Sequence, residues 1–241
     1  MPAVKRQPQP LPTRRERAKA THWRIIKAAY ESFCERGYAG TTMAYVAERA
    51  GVAVQTVYFV FHTKAELLSR AYDFSVMGEG EPRIPEEQAW YQEMAAEPDV
   101  TAALRHLVAG VSDIVRRVTP LYVVARASAD SDEEITRVQT FHEKWRADGY
   151  RAMLEVLLQK APLRPGLDPE RANHLLLLYA GPDVYHVLVD VDRWTHEDWV
   201  TWTVAIVAEQ LFGRVERQAA RLPAGSAESE PRHAQGAPTL D

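Results

Sequence analysis

Thr42-Met-Ala-Tyr-Val-Ala-Glu-Arg-Ala-Gly-Val-Ala-Val-Gln-Thr-Val-Tyr-Phe-Val-Phe61 is the stretch whose reading decides the fold. Thr42 to Arg49 has the length and pattern of a short helix ending at Ala50-Gly51, and Val54 to Phe61 reads as a second. Two short helices joined at a glycine, the second entered three residues after it, is the layout of a helix-turn-helix. Gly51 suits the turn because a sharp reversal between packed helices asks for a backbone conformation that a Cβ opposes. Ala47 is small enough for close approach, and Val46, Val52 and Val57 supply the small core that sets the angle between the helices.

Working outward, Arg14 to Arg36 places Ile25, Ile26, Ala29, Tyr30 and Phe33 on one helical face and stops at Gly37. On the other side, Thr63-Lys-Ala-Glu66 reads as a capping box that opens a helix to about Val76. This region is also the basic part of the chain. Residues 1–75 carry 12 Lys+Arg against 6 Asp+Glu, a balance of +6, whereas the whole chain is −4 and the remainder therefore −10. The front end suits an anionic polymer and the rest does not.

Helical periodicity continues downstream with almost no strand-like alternation, so the expected fold is all-α. A Gly/Pro break at Gly78 to Pro85 precedes a short helix with Trp90, Tyr91 and Met94, and Asp99 caps another to about Val118. Thr119-Pro120 is the expected start of a new helix over Leu121 to Ala129, and Ser131-Asp-Glu-Glu134 is a second capping box before a long helix to about Lys160. Asp168-Pro169 starts a segment interrupted at Gly181-Pro182, and Thr195 to Asp198 introduces the last helix. The expected division is a disordered basic arm at 1–13, a three-helix helix-turn-helix domain with its following helix at 14–76, a second helical domain at 77–217, and a disordered tail at 218–241.

Several function classes find no support. No window of about 18 uncharged apolar residues exists and the N-terminus lacks an apolar export segment, so no membrane partner and a cytoplasmic location are expected. Cys34 is the lone cysteine and sits in an apolar stripe, as a core residue would. There is no GxSxG elbow, no GxxxxGK[ST] loop and no HExxH, and the eight histidines are scattered. Neither an enzyme, nor a metal site, nor a cofactor is expected.

The run from Gly37 to Leu68, with Thr41-Thr42, Val46-Ala47, Ala50-Gly51-Val52, Thr56-Val57-Tyr58, Phe61 and Lys64-x-Glu66-Leu67-Leu68 in order, resembles the DNA-binding signature of the TetR/AcrR family of transcriptional regulators. The resemblance implies operator DNA as partner, contacted by Thr42, Tyr58 and Lys64 at phosphates and by Val54, Gln55 and Thr56 at base edges. Gln55 has the amide that can donate and accept at an adenine. Arg14 and Arg15 suit phosphates or a neighbouring minor groove. Ala53 and Val60 depart from the family pattern, which often has a capping Ser and a polar or aromatic residue there. Leu163-Arg-Pro-Gly-Leu167 and the segment from Gly181 to Trp199 resemble C-terminal domains of actinobacterial members.

The resemblance further implies a homodimer and a small-molecule effector that releases the DNA. Candidate pocket residues are Trp90, His106, Tyr122, Arg126, His142 and Trp145, aromatic walls with a few polar groups. Candidate dimer-face residues are Leu178, Tyr185, Trp199, Trp202 and Ile206, from two neighbouring apolar segments. The competing expectation is an activator, or a binder of many DNA sites that needs no ligand.

Overall fold

A computed structural model of the chain describes residues 13–78, 85–130 and 132–213. These are helical without strands: α1 (Arg14–Gly40), α2 (Met43–Ala50), α3 (Val54–Val60), α4 (Lys64–Met77), α5 (Ala89–Ala96), α6 (Val100–Ala129), α7 (Glu133–Leu158), α8 (Pro169–Tyr179), α9 (Pro182–Tyr185) and α10 (His196–Phe212). A 3₁₀ turn at Pro85–Glu87 precedes α5, and a π-helical segment, His186–Val191, follows α9. No helix among the described residues is long and apolar enough to cross a membrane.

The termini of the helices follow from local hydrogen bonding. Thr13, expected in the arm, instead caps α1: its hydroxyl accepts from the Glu16 amide at 3.2 Å and the Glu16 carboxylate accepts from the Thr13 amide at 2.6 Å. The rest of the arm, 1–12, and the expected tail lie outside the described residues. Gly37 interrupts α1 as expected, at φ 69°, and the chain runs helically on to Gly40. Buried Thr41 then ties this end down, donating to the carbonyls of Ser32 (3.0 Å) and Gly37 (2.8 Å). Asp168 and the reciprocal pair Thr195 and Asp198 cap α8 and α10 as read.

Two expectations need correction. Thr63 caps α4, but the Glu66 carboxylate turns to the amide of His62 (3.0 Å) rather than back to Thr63. Asp132 caps α7, accepting from the amides of Glu134 and Ile135, and Ser131, read as the first residue of a capping box, lies outside the described residues. Thr119-Pro120 starts no helix, because α6 runs through Pro120 for 30 residues. Proline removes one backbone donor there, and the buried Thr119 hydroxyl turns inward to donate to the Val115 carbonyl at 2.6 Å. Tertiary packing outweighs the local break signal, since α6 is the spine against which α1, α4, α5, α7, α9 and α10 all lie.

The core has two large parts joined along that spine. One gathers α1 to α4 around Ile25, Phe33, Val46, Val57, Phe61 and Leu67, and continues into Leu121 and Ala125 of α6. The other gathers α5, α6, α7, α8 and α10 around Met94, Leu104, Leu107, Leu154, Leu176 and Leu211. Cys34 lies half-buried beside the first, and burial pushes its thiol pKa up to about 11, so it stays protonated.

Candidate DNA-reading head and internal cavity

The helix-turn-helix is built around α2, α3 and the turn between them. Gly51 is left-handed (φ 65°, ψ 41°) and its amide, with that of Val52, closes the end of α2 on the carbonyls of Ala47 and Glu48. Val46, Ala47 and Val57 are buried between α1, α2 and α3. Arg49 braces α2 against α1 by a forked pair of bonds to Glu35 (2.6 and 2.8 Å) and one to Glu31 (2.9 Å).

Around this scaffold the sequence-derived residues fall into distinct settings. Gln55 is exposed and Tyr58 is 53% exposed, whereas Val54 and Thr56 are partly covered. Thr42 is exposed and caps α2, its hydroxyl accepting from the Tyr45 amide at 3.1 Å. Arg14 and Arg15 are exposed on the first turn of α1. Lys64 is more committed than expected: its Nζ donates to the Tyr38 carbonyl (2.9 Å) and lies 4.0 Å over the Tyr38 ring. Burial lowers its pKa, against the opposing pull of Asp132. α3 has no side-chain cap at Ala53, which matches the departure noted there. Phe59, absent from the expected set, is 85% exposed. Its exposure was readable from its place opposite Val57 on the helix, but an apolar residue in that register gives no polar signal to mark it.

A cavity of about 380 Å³ lies between α4, α5, α6, α7 and α9. Four of the six sequence-derived pocket residues line it: Trp90, Tyr122, His142 and Trp145. Missed from that set were Tyr72 and Val76 at the far end of α4, and Tyr150 of α7. Trp90 fits because α6 has Gly110 beneath it; a Cβ there would sit 2.1 Å from the indole ring. His106 does not line the cavity and pairs with Glu93 at 3.2 Å. Arg126 is also outside the lining, but it holds the cavity residue Tyr122, its Nη1 donating to the Tyr122 hydroxyl (3.0 Å) and to Asp183 of α9. Tyr122 in turn donates to Asp183 at 2.7 Å.

The cavity meets α4 through a few directed contacts. The His142 ring stacks on Tyr72 with centroids 4.4 Å apart, and its Nε2 is 3.2 Å from the Ser69 hydroxyl. Burial alone takes the His142 pKa down to about 4, which keeps the ring neutral. Arg117 of α6 donates to the carbonyls of Ser75 and Val76 at the end of α4, and its own carbonyl accepts from Tyr30 of α1 at 2.9 Å.

The expected dimer-face residues divide. Tyr185 and Trp199 are 3% and 0% exposed and pack on each other within the protomer, so they are withdrawn from a partner-facing set. Both lie on faces turned toward Val115 of α6, which periodicity within one segment does not reveal. Leu178 is 46% exposed, and Trp202 and Ile206 are partly exposed. Val187 and Val191 of the π-helical segment, at 51% and 59%, were not anticipated.

The fold and the basic head together define a helix-turn-helix DNA-binding protein with a separate helical body. Residues 25–71 match the family model for bacterial regulatory proteins of the tetR family. The chain is 26% identical over 195 residues to the HTH-type transcriptional regulator TtgR of Pseudomonas putida, covering 75% of this chain and 90% of that protein. It shares its fold with the transcriptional regulator FadR from Bacillus subtilis in complex with stearoyl-CoA, at 18% identity and TM-score 0.62, over 80% of this chain and 100% of that one. NalD, the secondary repressor of the MexAB-OprM multidrug efflux pump in Pseudomonas aeruginosa, aligns at 19% identity and TM-score 0.57, over 81% and 98%. Residues 25–71 are thus similar to the DNA-binding part of bacterial tetR-family regulators, and the relatives matched over most of their length are named as transcriptional regulators rather than enzymes.

Proposed function

We propose that this regulator is a homodimeric repressor that holds operator DNA and releases it when a small molecule fills the cavity. The observation that carries the reading is that α4 belongs to both sites: Leu67 and Leu68 are buried in the core of the DNA-reading head, and Tyr72 and Val76 line the cavity. A ligand that shifts Tyr72 or Val76 moves a helix packed directly against the head. By linkage, the factor by which such a ligand weakens DNA binding equals the factor by which DNA weakens ligand binding. Small molecules that raise the melting temperature of the free protein are therefore expected to lower its affinity for a selected duplex. Stabilising compounds that leave DNA affinity unchanged, while Trp145→Ala abolishes their effect on melting, would separate the cavity from DNA release.

In the DNA complex, Tyr58, Thr42, Arg14, Arg15 and the first turn of α4 with Lys64 are assigned to the phosphates, with Val54, Gln55 and Thr56 facing the bases. Tyr58→Phe should weaken binding to specific and random duplexes alike by several-fold, whereas Gln55→Ala should change which sequence is selected from a random library. Equal losses on both kinds of duplex for Gln55→Ala would remove it from the base-reading set.

Leu178, Trp202, Ile206, Val187 and Val191 are the residues assigned to the dimer face. Leu178→Asp with Val187→Asp should yield a monomer by light scattering that has lost tight DNA binding, because two half-sites are no longer engaged together. A dimer of unchanged mass in that variant would place the interface elsewhere.

A further inference from the structure

Phe59 has the largest exposure among the large apolar side chains described, in a domain whose other large apolar residues are mostly buried. Its position on α3 is informative. Each residue turns a helix by about 100°, so from buried Val57 as reference Gln55 stands about 160° round and Phe59 about 200°. These two residues, one turn apart, are the pair pointing most directly away from the core, and both are exposed. Thr56 and Tyr58 stand about 100° to either side, as flanks. The tip of the reading head is thus one amide and one phenyl ring.

A phenyl ring has no hydrogen bond to offer a phosphate or a base edge. The apolar group that the major groove presents is the 5-methyl of thymine, which Phe can contact. Gln55 beside it carries the amide that pairs with adenine N6 and N7. The two Cα atoms are about 6 Å apart along the helix, close to the rise of two base pairs. Among the described residues, neither the Phe59 nor the Gln55 side chain has a hydrogen bond or ring contact that would hold it back from the groove.

We propose that Phe59 is a specificity-determining residue that reads a thymine methyl group within about two base pairs of the base contacted by Gln55, so that each half-site centres on an A·T subsite. The inference rests on α3 being the reading helix. Thymine rather than a phosphate is the target because the ring lies on the outermost face of the helix and not on its flanks.

The test uses the full-length protein and a duplex selected by it from a random library, then resynthesised with deoxyuridine in place of each thymine in turn. Deoxyuridine keeps every hydrogen-bonding group and removes only the methyl. At one thymine per half-site the wild type should lose about 3- to 10-fold in affinity. Phe59→Ala should lose a similar factor on the parent duplex and be indifferent to that deoxyuridine, with Phe59→Leu intermediate. A Gln55→Ala variant should keep the deoxyuridine penalty while relaxing the choice at a neighbouring pair. If no deoxyuridine weakens the wild type, or if Phe59→Ala suffers the same penalty as the wild type, the methyl-reading role is overturned. A retained Gln55 effect in that outcome leaves α3 as the reading helix, and its loss as well overturns that assignment too.

Discussion

Phe61→Ala should destabilise the protein by about 3–5 kcal/mol, the range for removing a fully buried aromatic side chain, and should abolish specific DNA binding near its new melting point. Phe61 is 1% exposed and sits where α3 ends, its amide donating to the Val57 carbonyl at 2.8 Å. Its ring stacks on His22 of α1 at 5.1 Å and packs in the cluster with Val46, Val57 and Leu67. Truncation leaves a void at the junction of α1, α3 and α4, and close-packed helices relax only partly into such a space. Urea unfolding of the two proteins measures the loss. The exposed neighbour gives the internal control, because Phe59→Ala removes the same ring from solvent and should change stability by no more than about 0.5 kcal/mol. A loss below about 1 kcal/mol for Phe61→Ala would mean that α3 is held by something other than this cluster.

The second large effect is acid sensitivity arising at His142. In the unfolded chain this ring titrates near its ordinary 6.5, whereas buried beneath Tyr72 it titrates at about 4. Between those values the unfolded chain takes up a proton that the folded protein refuses, so stability falls as pH falls from 6.5 toward 4. Well above 6.5 the ring is neutral in both states and contributes no slope. The loss reaches about 3 kcal/mol by pH 4 and levels off below it. His142→Gln keeps an amide within reach of Ser69 but cannot take the proton, so its melting temperature should depend less on pH in this window. His22 and His196 also have lowered pKa values from burial, and the remaining slope in the variant belongs partly to them. An unchanged slope in His142→Gln would show that the ring is accessible to protons in the folded state. Because His142 joins α7 to α4, protonation at the low end of this range places a charge at the contact between the cavity and the helix that carries the head.

The helix-turn-helix was legible from residue order because its determinants are local. Gly51 needs a left-handed backbone, Thr42 caps the helix that it precedes, and Val46, Ala47 and Val57 meet across a short turn. The same locality made the caps Thr63 and Thr195 readable, if not always their partners. It failed at Thr119-Pro120, where α6 continues through the break, since a helix enclosed by six others is held by its neighbours and not by its own propensity.

What the order of residues determined by itself was the all-α class, the reading head and the basic charge that suits it to DNA, each encoded in a helical period, a glycine or a run of side chains. Tertiary structure alone decided which apolar residues became wall, core or surface. Tyr185 and Trp199 share the composition of a partner-facing segment yet are enclosed, while Val187, Val191 and Phe59 look like core residues and stand in solvent. The four pocket aromatics found in sequence became a cavity only when Tyr72 and Val76 of α4 were brought to them from the other side. Burial is a property of which faces meet across tens of residues, and periodicity within one helix reports that a face is apolar but not what it is set against.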